Sequence, residues 1–305
     1  MWSNPRIPFR LSSDQPRLEP LKGKPLMVHL AMSVEYWPFD KPMPRGIVPA
    51  PHGAQPAPPD VPNFGWVEYG VRAGAPRLMR MLRARGLPVS VVANAQVADI
   101  YPALMEAVVD AGWELVGHGF YQRSLKTVED EGEEIRSSLA RLEQVSGKRP
   151  RSWLGCGLGE TFETPDILKA EGVEFLHDWA VDDLPVWMRT RYGPLLALPY
   201  TFDLNDVPMY LVQGSTGDEI YKRVEATLAT YDEELADQCR VLTLSVHPHI
   251  VGAPHVAHHF GRALDLLMSR DDVVFVTSSV MGDWFIQADG THGAEMDALR
   301  DGPPA

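Results

Sequence analysis

Short runs of aliphatic and β-branched residues recur along this chain, each followed by a longer stretch suited to a helix. That alternation limits the fold more than any other feature. The runs are PLMVHLAMSV (25–34), LPVSVVAN (87–94), WELVGH (113–118), RSWLG (151–155), VEFLHDW (173–179), PLLALPY (194–200), RVLTLSVHP (240–248) and VVFVTSS (273–279). The first expected helix runs from about Val71 to Arg85, with Leu78, Met79 and Leu82 on one face and Gly86 ending it. Others are expected near 95–110, 127–147, 164–172, 216–237, 256–269 and 280–287, several closed by glycine. Strands alternating with helices build a mostly parallel sheet. The number of units fits an α/β fold of the distorted, seven-stranded (β/α) barrel type. An open doubly wound sheet is the alternative, weakened because no G-x-G-x-x-G follows the first strand.

Composition excludes several roles. The net charge of −13 disfavours nucleic acid and anionic membrane surfaces, which need clustered positive charge. No apolar run reaches the ~18 residues of a membrane span. The opening MWSNPRIPFRLSSDQPRLEP lacks the basic-then-apolar pattern of a secretory signal. Cys156 and Cys239 are the only cysteines and sit in unlike contexts, so a cytoplasmic protein without disulfides is expected. Residues 1–24, rich in proline and charge, are expected to be a surface arm, 25–287 a single catalytic barrel domain, and 288–305 a polar tail. Residues 36–66 hold nine prolines and are expected to form a long ordered lid loop over the barrel mouth.

In a parallel barrel the reacting groups project from the C-terminal ends of the strands. Those ends carry Glu35, Asn94, His118, Asp178 and His247. Each alone has an ordinary structural reading: a surface carboxylate, a helix cap, a strand-end hydrogen bonder. Five placed together predict one polar mouth.

These residues lie in segments that resemble the polysaccharide deacetylase superfamily: AMSVEYW (31–37), HGFYQ (118–122) and LSVHPHIVGAPH (244–255). VEYW (34–37), DVPNFGWVEYGVR (60–72), GWELVGHG (112–119), WAVDDLP (179–185), LPYTFDLND (198–206) and HPHIVGAPH (247–255) are similar to its allantoinase-like and cyclic-imide-hydrolase-like branch. The resemblance spans about residues 30–285. It implies a hydrolase acting on C–N bonds of ureides, cyclic imides and related small amides rather than on acetylated sugars. The pattern departs from metal-dependent members at two places. Ser33 stands where the catalytic carboxylate aligns, and Gln122 where a second metal-binding histidine aligns. A zinc site generally needs three ligands drawn from His, Cys and carboxylate, and an amide oxygen suits harder cations. No cofactor is therefore expected. If a divalent metal such as zinc is held, the implied ligands are Glu35, His118 and Gln122, with His249, Asp178 or His177 able to complete the set.

For amide hydrolysis, Glu35 is assigned as base, its pKa raised under the lid, His118 as the group polarising the carbonyl or orienting water, and His247 as acid for the leaving nitrogen. Recognition of a small-molecule amide substrate is assigned to flat walls from Trp66, Tyr69 and Trp179, to Arg72 as a carboxylate or imide grip, and to Asn94, Gln122, Asp178, Asp182 and Asp183. A homo-oligomer is expected from the branch. Two alternatives stay open: a metal-dependent carbohydrate N-deacetylase, and a catalytically inactive binding homologue.

Overall fold

The computed structural model describes residues 3–46, 57–291 and 293–297. The first strand, β1 (Leu26–Val34), is buried along its whole length. A run that is apolar except for His29 and Ser33 suits a strand covered on both faces, as parallel strands under helices are. Each fully buried Leu or Met contributes about 1.5–3 kcal/mol relative to exposure.

A continuous helix follows, in three parts: α1 (Val61–Tyr69), a wider π-helical turn (Gly70–Gly74) and α2 (Ala75–Ala84). This corrects the expected loop over 36–66, because its closing piece is helical from Val61. Pro62 lies in the first turn, where a missing N–H costs nothing, and the Asp60 side chain caps the helix by accepting the Asn63 N–H. Residues 36–46 are irregular, and the part of the expected lid at 47–56 lies outside the described residues.

Then come β2 (Ser90–Ala93), α3 (Val97–Ile100), α4 (Pro102–Asp110), β3 (Glu114–Gly117), α5 (Glu131–Ser146), β4 (Ser152–Trp153), α6 (Thr164–Ala170) and β5 (Phe175–Leu176). Pro102, which cannot donate to the preceding turn, separates α3 from α4. β6 (Val186–Thr190) and β7 (Gly193–Ala197) form an antiparallel hairpin. After it lie α7 (Glu219–Glu234), β8 (Arg240–Val246), α8 (Pro254–Met268), β9 (Val273–Val276), α9 (Ser278–Ala288) and α10 (Ala294–Asp297).

The sheet runs β6-β7-β5-β4-β3-β2-β1-β8. From β8 through β7 it is a path of seven parallel strands, the architecture expected. The hairpin strand β6 and the wedge β9 bring the described strands to nine. β9 pairs with the lower half of β1, at Leu26–His29, while β2 pairs with its upper half, at Ala31–Val34. The sheet curls so that the chain after β7 returns to β8. There Asn205 bridges Ser245, and the Thr243 hydroxyl donates to the Pro199 carbonyl at 2.8 Å. The N-terminal segment sends Ile7 and Leu18 into the core, and Arg6 pairs with Asp166 at 2.8 Å. Among the described residues no helix is long and apolar enough to cross a membrane.

Candidate active site

The upper ends of β1, β3 and β8 place Glu35, His118 and His247 on one pocket of about 470 Å³. Glu35 is the hub. Its Oε1 lies 3.4 Å from His247 Nε2 and 3.6 Å from His118 Nε2, and accepts the Gln122 amide N–H at 3.2 Å. Its Oε2 accepts the Trp37 indole N–H at 2.7 Å. The two imidazole separations exceed close hydrogen-bond length.

Each imidazole is oriented from behind. His118 donates its Nδ1–H to the Leu154 carbonyl at 2.5 Å, so Nε2 faces the pocket, where it makes no hydrogen bond with the described residues and has Glu35 as its ionic neighbour. The Asp206 carboxylate takes both the His247 Nδ1–H and the His247 backbone N–H, each at 2.6 Å. Asp206 is completely buried. It is the site group missing from the sequence assignment, although it closes the LPYTFDLND motif. Only the fold carries it beside His247.

Burial alone would raise the Glu35 pKa. Hydrogen bonding and charge from His118 and His247 outweigh burial and hold it well below the usual carboxylate range. The expected raised pKa is therefore corrected: two imidazoles, not apolar lid residues, set the field at this carboxylate. For His247, burial opposes the charge, but Asp206 and Glu35 raise its pKa to about 10. Burial likewise opposes charge on His118, and Cys156 and Glu35 push its pKa well above the ordinary value. His249, edge-on to His247, also lines the pocket; burial and the neighbouring His247 lower its pKa to about 3. The result is a carboxylate and two imidazoles that favour one another's charged forms, with His249 pushed toward its neutral form.

Gln122 lines the pocket as expected, and its amide oxygen is buried without a partner among the described residues. The other assigned recognition residues lie elsewhere. Asn94 does not line the pocket but supports it: it accepts the Tyr36 N–H at 3.0 Å and donates to the His118 carbonyl. Asp178 sits behind Gly155, whose N–H it accepts at 2.7 Å; burial and neighbouring Glu160 raise its pKa. Trp179 donates its indole N–H to Glu160, and Trp66 donates its own to the His249 carbonyl. Tyr69 receives a hydrogen bond from Arg77. Arg72 points outward with a 77% exposed side chain and pairs with Glu68 at 2.7 Å. Asp182 accepts from Ser12 and the Leu184 N–H, and the Asp183 carbonyl accepts the Val241 N–H, both away from the pocket. Side chains on a helix point according to its rotation and tilt, and the helix over 61–84, which begins at Val61 rather than near Val71, keeps Trp66, Tyr69 and Arg72 off the pocket lining. His29 and His177 stack beneath the pocket, and Ser278 bridges them.

The helix holds the His247–His249 segment by close approach. A Cβ on Gly70 would lie 2.6 Å from the His249 nitrogen, and one on Gly74 would overlap the Pro248 carbonyl oxygen. Only glycine permits this contact.

Among the described residues no group of three or more His, Cys, Asp or Glu side chains is arranged to hold a metal ion. An amide N–H and an indole N–H occupy the two oxygens of Glu35. The expected ligand set of Glu35, His118 and Gln122 lies together on the pocket, and Glu35 would have to release the Gln122 and Trp37 donors to bind an ion.

A family model described as polysaccharide deacetylase matches residues 65–176. A Schizosaccharomyces pombe protein described under the polysaccharide deacetylase name is 25% identical over 229 residues, 69% of this chain and 72% of its own. Two crystal structures share the fold. A Pseudomonas aeruginosa PAO1 protein described as a "probable polysaccharide deacetylase" has a TM-score of 0.78 at 23% identity, covering 89% of this chain and 95% of its own. PuuE allantoinase has a TM-score of 0.76 at 21% identity, covering 93% and 95%.

Proposed function

We propose, from the premise that this chain carries a polysaccharide deacetylase domain, that it is a hydrolase cleaving C–N bonds of small linear or cyclic amides, in the manner of ureide and cyclic-imide hydrolases. The observation that carries the reading is the Glu35 carboxylate held between two imidazoles oriented from behind, at the floor of a small pocket. A volume of about 470 Å³ suits a small molecule. The fold likeness to PuuE allantoinase supports the same substrate class.

In this reading Glu35 Oε1 takes a proton from water as the water oxygen bonds to the substrate carbonyl carbon. His118 Nε2–H stabilises the oxyanion that forms. Collapse breaks the C–N bond, and the proton on His247 Nε2 goes to the leaving nitrogen. The proton held by Glu35 then returns to His247. The groups are coupled. The lowered Glu35 pKa and the raised His247 pKa favour that return. This scheme uses no metal. A divalent ion is compatible with the family, and chelation tests the point below. A homo-oligomer and a cytoplasmic location complete the proposal, and analytical ultracentrifugation reads the oligomeric state directly.

The test is a turnover screen of hydantoins, ureides and cyclic imides against an N-acetylated chito-oligosaccharide, with His118→Ala as control. Turnover of the small amides that is lost in the variant supports the reading. Turnover of the oligosaccharide alone would make the protein a deacetylase. Inertness toward every substrate would make it a binding homologue.

A further inference from the structure

The charges around the pocket are unevenly distributed. Of its lining residues only Glu35 is acidic, and that carboxylate is already engaged by Trp37, Gln122 and the two histidines. Two arginines, Arg45 and Arg123, also line the pocket. Arg45 is exposed, which places it at the mouth, and it makes no hydrogen bond or ion pair with any described residue. Arg123 is half-buried. Glu134 at 2.6 Å and the ring of Tyr121 hold it, and its Nε–H is shielded from solvent without a partner among the described residues. The chain as a whole carries −13, so a guanidinium without a partner among the described residues at the entrance of this pocket runs against the surrounding field. Its charge reaches the site floor, where it contributes to keeping His249 neutral.

We propose that the pocket mouth reads a free carboxylate on the substrate, with Arg45 as the primary contact and Arg123 as a second positive group behind it. The preferred substrates are then small amides or ureides that carry an acid group at one end and the scissile C–N bond at the other. This rests on the hydrolase reading above and narrows its substrate class. A guanidinium fork matches a carboxylate with two parallel N–H donors, a geometry no neutral end group reproduces. Arg45 takes the role that the sequence alone suggested for Arg72, whose guanidinium is spent on Glu68 on the outer surface.

The experiment uses the full chain and two probe pairs: hydantoin-5-acetate and N-carbamoyl-β-alanine, each against its methyl ester. For turnover, the acid should exceed the ester in kcat/KM by about tenfold, expressed in KM. Arg45→Ala should collapse that acid-to-ester ratio toward one, Arg45→Lys should restore part of it, and 0.5 M salt should lower it. Calorimetric binding to the Glu35→Gln variant gives a readout independent of chemistry. Acid binding that exceeds ester binding and is lost on adding Arg45→Ala, without turnover in the native protein, keeps the carboxylate site and sinks the hydrolase reading. Equal treatment of acid and ester, a ratio untouched by Arg45→Ala, or no binding of either acid overturns the carboxylate site, whatever else the protein hydrolyses.

Discussion

Replacing Asp206 by asparagine tests the electrostatics of the site at its most buried point. Asparagine keeps an oxygen to accept the His247 Nδ1–H but removes the charge. The contact is 2.6 Å long, and Asp206 is inaccessible to solvent. Taking charge centres about 4 Å apart and an effective dielectric near 20, the lost attraction is about 4 kcal/mol, or about three pKa units. Glu35 still faces the ring, so a fall of about two to three units is expected. The sign follows from His247 being a group whose folded pKa is raised, to about 10. Its charged form contributes fully below its unfolded value of about 6.5 and is lost as pH rises through the folded value. In the native protein kcat/KM should therefore hold through neutral pH and fall as pH approaches about 10. In Asp206→Asn the alkaline limb should move down by about two to three pH units. Stability should drop by on the order of 3 kcal/mol at pH 7, because half of a buried pair remains, and the deficit should shrink above pH 10, where native His247 is also neutral. The assays are a kcat/KM profile from about pH 5 to 11 and urea unfolding at both ends of that range. An alkaline limb in the same place in both proteins would refute the assignment of His247 as the proton donor held charged by Asp206.

Other outcomes follow from the same geometry. His118→Ala should cost at least about 100-fold in kcat and about 1–3 kcal/mol of stability, since the Leu154 carbonyl loses its donor; near-native kcat would remove His118 from the chemistry. Prolonged chelation should lower activity by less than half, and complete loss restored by a divalent ion would overturn the metal-free scheme. Gly74→Ala should lower kcat about tenfold or more with a stability loss of about 1–3 kcal/mol, because the new Cβ pushes the Pro248 segment away. Unchanged kinetics in that variant would mean that the placement of His247 does not depend on the helix contact.

The alternation of strands and helices was legible in the sequence, as were Glu35, His118 and His247 at strand ends. Both depend on local patterning: a buried parallel strand must be an apolar run, and the residue after it must emerge at the mouth. The helix over 61–69 and the divided helix at 97–110 were not legible, because prolines permitted at a helix start look the same in sequence as prolines in a loop; nor was the hairpin strand β6. Tertiary structure alone decided which polar groups share the pocket. Asp206 reaches His247 across 41 positions of chain, Arg45 enters the lining, Arg72 turns outward, and Tyr69 and Trp66 stand off the pocket on a helix whose rotation no local pattern specifies. It also decided the sign of the Glu35 shift. A carboxylate's proton affinity depends on the charges packed around it in space, and the two imidazoles that lower it arrive from strands 83 and 212 residues further along the chain.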